Sequence, residues 1–94
     1  MNTKELSKAM YKKCKNGNDN KEYWSLITDP QQAYYYCKYV EDREEVRNTI
    51  NTSKWAYMYC VYIENRPEIR KNITDPILRG MLKRLLLIQQ NTCL

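Results

Sequence analysis

The sequence predicts an all-α fold: short helix-pair repeats with a 23-residue period, stacked into a small bundle or solenoid with a capping helix at each end. Three observations lead there. The 94 residues contain only 2 Gly and 3 Pro, too few breakers for a strand-and-turn architecture. Residues 27–49, ITDPQQAYYYCKYVEDREEVRNT, align without a gap on residues 50–72, INTSKWAYMYCVYIENRPEIRKN. Within each unit the apolar residues fall at helical spacing: Ala33, Tyr36, Cys37 and Val40, then Ala56, Tyr59, Cys60 and Ile63, occupy i, i+3, i+4 and i+7, a single stripe on an amphipathic helix.

The elements follow in order. A first helix is expected over about Thr3 to Lys15, with Asn2 and Glu5 at capping-box-like spacing and Gly17 as its stop. The segment KNGNDN then breaks the repeat, although Tyr11, Cys14 and Glu22 still fall in register with Tyr34, Cys37 and Glu45. In the first full unit Asp29-Pro30 places an N-cap before Pro at the first helical position, and Asp75-Pro76 does so again later. Thr52 or Ser53 takes that role between them. The longer helices are predicted over Pro30 to Glu41 and Ser53 to Glu64. A short second helix starts near Arg43 and again near Pro67, with Val46 and Ile50, then Ile69 and Ile73, as its i, i+4 apolar edge. A unit of this size cannot bury its stripe alone, so neighbours must stack. The chain is accordingly one domain: residues 1–26 an N-terminal cap, 27–49 and 50–72 the repeats, 73–94 a C-terminal capping helix. That last helix, about Pro76 to Gln90, carries Ile77, Leu78, Met81, Leu82, Leu85, Leu86 and Ile88. This surface is wider than one packing stripe and predicts a homodimer face.

The motif DPQQAYYYCKYVEDREEVRNTI resembles the short tandem repeats, of the form D-P-x-x-A-Y-x-Y-A-x-x-V-x-x-R-x-x-E-x-E-x-x-I, found in proteins of large T-even-like bacteriophages and giant viruses. The resemblance covers residues 27–76. It departs at Cys37 and Cys60, where a small Ala is common, and at Arg47 and Arg70, where a second acid is common. It implies an all-helical repeat fold and a viral source, and no catalytic activity.

The chemistry available is narrow. There is no His, which removes the usual general base and the commonest transition-metal ligand. No nucleophile-elbow or phosphate-loop motif occurs. Cys14, Cys37, Cys60 and Cys93 lack zinc-knuckle spacing, and Cys37 and Cys60 lie in the apolar stripe, where a thiol acts as a small core residue. The adjacent acids Glu41-Asp42 and Glu44-Glu45 point in different directions on a helix and form no dyad. The sequence therefore predicts no enzyme, no cofactor and no metal. The N-terminus lacks the apolar core of a signal peptide and the longest run of purely aliphatic residues is Leu85 to Ile88, so a cytoplasmic protein with no membrane contact is expected, in the host cell if it is viral.

The formal charge is +5, from 16 Lys+Arg and 11 Asp+Glu, which suits nucleic acid or an acidic protein surface. Arg43 and Arg47 recur as Arg66 and Arg70, and the period predicts that stacking lines them up, with Lys71 adjacent and Arg79 and Lys83 extending the row. Such a ladder fits a phosphate backbone. It equally fits inter-unit ion pairs with Glu41, Glu45, Glu64 and Glu68, which repeat as well. Lys12, with Lys8, Lys13 and Lys15, forms a second basic cluster. Tyr35, Tyr39, Trp55 and Tyr62 are expected to serve packing, as periodic aromatics usually do, with base stacking the competing role. The leading expectation is a small viral accessory protein for host takeover or anti-defence. It would bind nucleic acid, RNA favoured, through Arg43, Arg47, Arg66, Arg70, Lys71, Arg79, Lys83 and Lys12. The alternative is a protein-binding inhibitor of a host or defence protein that uses Tyr35, Tyr39, Trp55, Tyr62, Leu85 and Ile88.

Overall fold

A computed structural model describes residues 2–92, with side chains over 2–88. Seven helices and no strands occur among the described residues: α1 Thr3–Lys15, α2 Lys21–Trp24, α3 Pro30–Tyr39, α4 Glu44–Arg47, α5 Ser53–Tyr62, α6 Pro67–Arg70 and α7 Pro76–Thr92. The one-turn helices α2, α4 and α6 begin at Lys21, Glu44 and Pro67, and the longer α3, α5 and α7 at Pro30, Ser53 and Pro76. Both series advance by the repeat period at every step.

Local chemistry explains these boundaries. Asn2 accepts a hydrogen bond from the Glu5 N–H at 2.8 Å and Asp29 accepts from the Gln32 N–H at 3.2 Å, each satisfying a free amide of a first turn. Asp75 accepts from the Ile77 N–H at 2.9 Å. Thr52 holds the N-cap position of α5 without a side-chain cap bond, contrary to expectation. Ser53 Oγ instead accepts from the Thr74 and Asp75 N–H groups at 3.0 and 3.2 Å, tying the start of α5 to the start of α7. Ser7 Oγ does the same for Thr28 and Asp29, both at 3.0 Å, joining α1 to α3.

Helices α3 and α5 end at Tyr39 and Tyr62, short of the predicted Glu41 and Glu64. The chain widens there: the Glu41 N–H reaches back to the Tyr36 carbonyl and the Glu64 N–H to the Tyr59 carbonyl, both at 3.1 Å. Arg43 N–H then bonds Glu41 O, and Arg66 N–H bonds Glu64 O. The same pair of bonds closes α1, where Asn18 N–H meets Lys13 O and Asn20 N–H meets Asn18 O. KNGNDN therefore makes the turn it seemed to break. Gly17, with φ of 109°, supplies the left-handed residue there.

The long helices pack in the order α1, α3, α5, α7, and each short helix packs on the long one before it. The molecule is elongated, 44 × 26 × 16 Å, with a radius of gyration of 14.4 Å against about 12 Å for a sphere-like domain of this length. The core runs along it: Ala33 and Ala56, Tyr36 and Tyr59, Cys14, Cys37 and Cys60, and Ile27, Ile50 and Ile73 are all buried. The two alanines let neighbouring backbones approach, and the isoleucines close each short helix onto the core.

Candidate nucleic-acid interface

The repeated arginines enter recurring local clusters. Tyr36 is fully buried up to its hydroxyl, which donates to Asp19 at 2.6 Å and accepts from Arg43 Nε at 3.0 Å. One period later the Tyr59 hydroxyl donates to the Asp42 carboxylate, its two oxygens at 2.9 and 2.8 Å, and accepts from Arg66 Nε at 2.8 Å. Arg43 also pairs with Asp19 at 3.5 Å and with Glu41, and its guanidinium lies 4.7 Å from the centre of the Trp24 ring. Arg66 pairs with Asp42 at 3.3 Å, Glu64 at 2.6 Å and Glu68 at 3.8 Å. Arg47, only 12% exposed, donates to the Asp42 carboxylate at 3.1 Å and to its carbonyl at 2.9 Å. Burial, then the hydrogen bond to Asp19 or Asp42, pushes the Tyr36 and Tyr59 phenols far above their usual range. Arg43, Arg47 and Arg66 are thus committed to structural pairs. The acids they find include Asp19 and Asp42, absent from the sequence expectation, while Glu45 enters no ion pair among the described residues. The signal was present: Asp19 and Asp42 are one repeat period apart, and each precedes its tyrosine by the same interval.

The aromatic candidates divide. Tyr35 and Trp55 are half-buried against the core, with ring centres 5.8 Å apart, and Tyr34 lies 5.4 Å from Trp55. Both rings therefore pack against neighbouring aromatic side chains. Tyr39 and Tyr62 are 55% and 59% exposed. The Lys38 ammonium lies 5.3 Å from one ring centre and 5.0 Å from the other, with Lys15 a further 5.4 Å from Tyr39. Lys12 is exposed on α1, whose partners are α2 and α3, far along the packing order from α7.

Four of the predicted basic residues do converge. Arg70, Lys71, Arg79 and Lys83 line a groove of about 290 Å³ between α6 and α7, together with Pro67, Ile73, Leu82 and Leu86. Among the described residues no carboxylate lines it and none of the four cations forms an ion pair. Arg70 donates to Asn65, a neutral acceptor, at 3.1 Å. Ile73 and Leu82 form a buried apolar floor.

The thiols of Cys14, Cys37 and Cys60 are free and buried; Cys93 lies outside the described residues. Burial, aided by the nearby Asp42 charge, pushes the Cys37 thiol up to about 12. Among the described residues no cluster of three or more metal-ligating side chains occurs and no helix is long and apolar enough to cross a membrane. On α7, Leu85 is half-buried, while Ile77, Met81, Leu87 and Ile88 are exposed. No protein-family model, curated protein or solved structure matches the chain.

Proposed function

We propose that this is a non-enzymatic viral accessory protein, built from stacked 23-residue helical units, that binds nucleic acid with RNA favoured. The single observation carrying this is the α6–α7 groove, where Arg70, Lys71, Arg79 and Lys83 face one concavity with no carboxylate among them. Fixed cations brought together without counter-charge repel one another, and a phosphate relieves that repulsion while releasing condensed counterions. The exposed Tyr39 and Tyr62, held beside Lys38, offer a secondary surface suited to unpaired bases, since every base has a stacking face. Within a viral life cycle, an RNA-binding protein of this size suits interference with an RNA-based host defence.

The test is anisotropy with a labelled single-stranded RNA across a salt series. Four phosphate contacts predict a slope of log K on log salt of about −3, at about −0.7 per contact for single strands. Arg79→Glu with Lys83→Glu should abolish binding and leave helicity unchanged, since both side chains are exposed. No retention of any RNA or DNA at low salt would sink the proposal.

A protein-binding inhibitor is favoured by a different observation, the exposed Ile77, Met81, Leu87 and Ile88 on α7. The same stripe supports a homodimer. Light scattering at twice the 11.4 kDa monomer mass would assign it to a second copy. A single stoichiometric partner recovered from nuclease-treated host lysate, with a monomeric free protein, would assign it to a host factor.

A further inference from the structure

We infer that the α6–α7 groove is an end-binding pocket: it takes a terminal phosphomonoester, with the phosphate among Arg70, Lys71, Arg79 and Lys83 and the attached nucleoside on Ile73, Leu82 and Leu86. This rests on the nucleic-acid role proposed above and narrows it from a strand to a strand end.

The register of the chain shows how the groove arises. Counting in repeat periods, Leu82 stands where Tyr36 and Tyr59 stand, and Asn65 where Asp19 and Asp42 stand. In both earlier positions the tyrosine ring fills the space beside the short helix and its hydroxyl meets the carboxylate. At the third, leucine is shorter and carries no hydroxyl, and asparagine carries no charge. The volume and the counter-charge are withdrawn together. In the same place Arg79 replaces Ala56 and Lys83 replaces Cys60, two buried small residues. Arg70, whose equivalent Arg47 is neutralised by Asp42 at 3.1 Å, meets only the Asn65 amide at the same distance and keeps its full charge. A solubilising end to the fold requires polar side chains of either sign. Here all four are cations, two of them, Arg79 and Lys83, at the unfavourable i, i+4 spacing for like charges.

Three features favour a chain end over a continuous strand. A phosphodiester carries one negative charge, whereas a phosphomonoester carries about −1.5 to −2 near neutrality and has three acceptor oxygens, closer to what four converging cations require. Strand-tracking grooves set cations in a row with aromatic platforms between them. No aromatic residue lines this groove, and the exposed Tyr39 and Tyr62 sit at the ends of α3 and α5. Finally, about 290 Å³ lies at the lower limit of the roughly 300–1,000 Å³ typical of small-ligand clefts. That suits one nucleotide on an apolar floor.

The experiment compares three labelled ten-nucleotide RNAs of one sequence: 5′-phosphorylated, 3′-phosphorylated and hydroxyl at both ends. At least one phosphorylated strand should bind about tenfold to a hundredfold tighter than the hydroxyl strand, the range of one or two added charge-assisted hydrogen bonds. Which of the two gains identifies the end recognised. Adenosine monophosphate should compete and adenosine should not. Lys83→Ala and Arg79→Ala, both at exposed positions, should weaken binding of the phosphorylated strand more than that of the hydroxyl strand and so erase the difference between them, with helicity unchanged. Equal binding of all three strands overturns the end pocket and leaves nucleic-acid binding intact. No binding of any strand overturns both. A phosphoserine peptide that competes as well as adenosine monophosphate overturns the assignment to a nucleotide.

Discussion

Replacing Asp42 by Asn tests whether the Tyr–Asp–Arg clusters hold the helices together. Asp42 joins three elements: it receives the Tyr59 hydroxyl from α5, Arg47 Nε from α4 at 3.1 Å, and Arg66 from the start of α6 at 3.3 Å. Asn keeps the shape and can keep the acceptor oxygen that Tyr59 and Arg47 share, so for those two bonds the charge is what is lost. Hydrogen bonds to a charged group contribute about 1.5–3 kcal/mol against about 0.5–1.5 kcal/mol for neutral ones, a difference of about 1 kcal/mol per bond. For Tyr59 and Arg47, which are largely or wholly shielded from solvent, the loss is about 2 kcal/mol. The Arg66 contact is longer and screened by solvent, and adds nothing to this figure. At about 4–8 °C per kcal/mol for a domain of this size, the midpoint should fall by roughly 8–16 °C. Asp19→Asn is the internal control. It has one short bond, to Tyr36, and a 3.5 Å contact with Arg43, so it should cost about half as much. The assay is urea unfolding followed by far-ultraviolet circular dichroism, with a common m-value. A loss for Asp42→Asn below about 0.5 kcal/mol, the floor for even a neutral hydrogen bond, would refute the assignment of these clusters as structural supports. So would a larger loss for Asp19→Asn.

Other expectations follow from neighbouring contacts. The Tyr34 hydroxyl is buried without a hydrogen-bond partner among the described residues, so Tyr34→Phe should be neutral or stabilising, whereas Tyr59→Phe should cost about 1–2 kcal/mol in the same urea assay. Ser7→Ala should cost about 1–3 kcal/mol, because the Thr28 and Asp29 amides lose the one hydroxyl that receives both. Asn65→Asp should pair Arg70 within the fold; stability holds or rises, and RNA affinity drops severalfold in anisotropy because the groove loses positive charge. Cys37 fixes a pH dependence. In the unfolded chain its thiol ionises near 9 and in the native state at about 12, so the native protein holds the proton longer. Its contribution is intact below about pH 8.5 and is lost as pH rises from about 9 towards 12. The urea midpoint should therefore decline above about pH 9, in the same direction as the raised Tyr36 and Tyr59 phenols require; a flat or rising midpoint would contradict this.

The helix starts were legible because proline writes them into the chain: Pro30, Pro67 and Pro76 each open a helix, the first and last behind a capping Asp. The buried stripe was legible from spacing alone, with Ala33, Tyr36 and Cys37 and their counterparts Ala56, Tyr59 and Cys60 all inside. Helix α2 was not, because KNGNDN hides the register just before it. What places it is Tyr23 and Ile27, one repeat period before Val46 and Ile50. The early ends of α3 and α5 depend on a wide turn that no side chain announces. The fate of the arginines was half legible. Ion pairing was one of two open readings, but the decisive acceptors, Asp19 and Asp42, precede α3 and α5 in the chain and lie across a helix boundary that only packing brings close. The packing of Tyr35 and Trp55 was expected from their period, but their partner was not, because each ring is covered from a different helix.

Periodicity is most informative where it fails. Residues 1–26 hold six cations and three acids, residues 27–49 three cations and five acids, and residues 50–94 seven cations and three acids, so the excess charge is not spread evenly along the chain and is lowest in the first full unit. The position after the short helix's core residue changes from unit to unit. It is Trp24 first, which accepts the Arg43 guanidinium on its ring; then Arg47, neutralised by Asp42; then Arg70, beside a neutral Asn65. Each step is compatible with the same backbone, so packing does not require the change. A fold under selection for stability alone gains from repeating the Tyr–Asp–Arg cluster a third time, since each cluster satisfies a buried hydroxyl and neutralises an arginine. The third cluster is replaced by Leu82, Asn65 and Gln89, in the one place where Arg79 and Lys83 are added. That departure is what the proposed groove rests on.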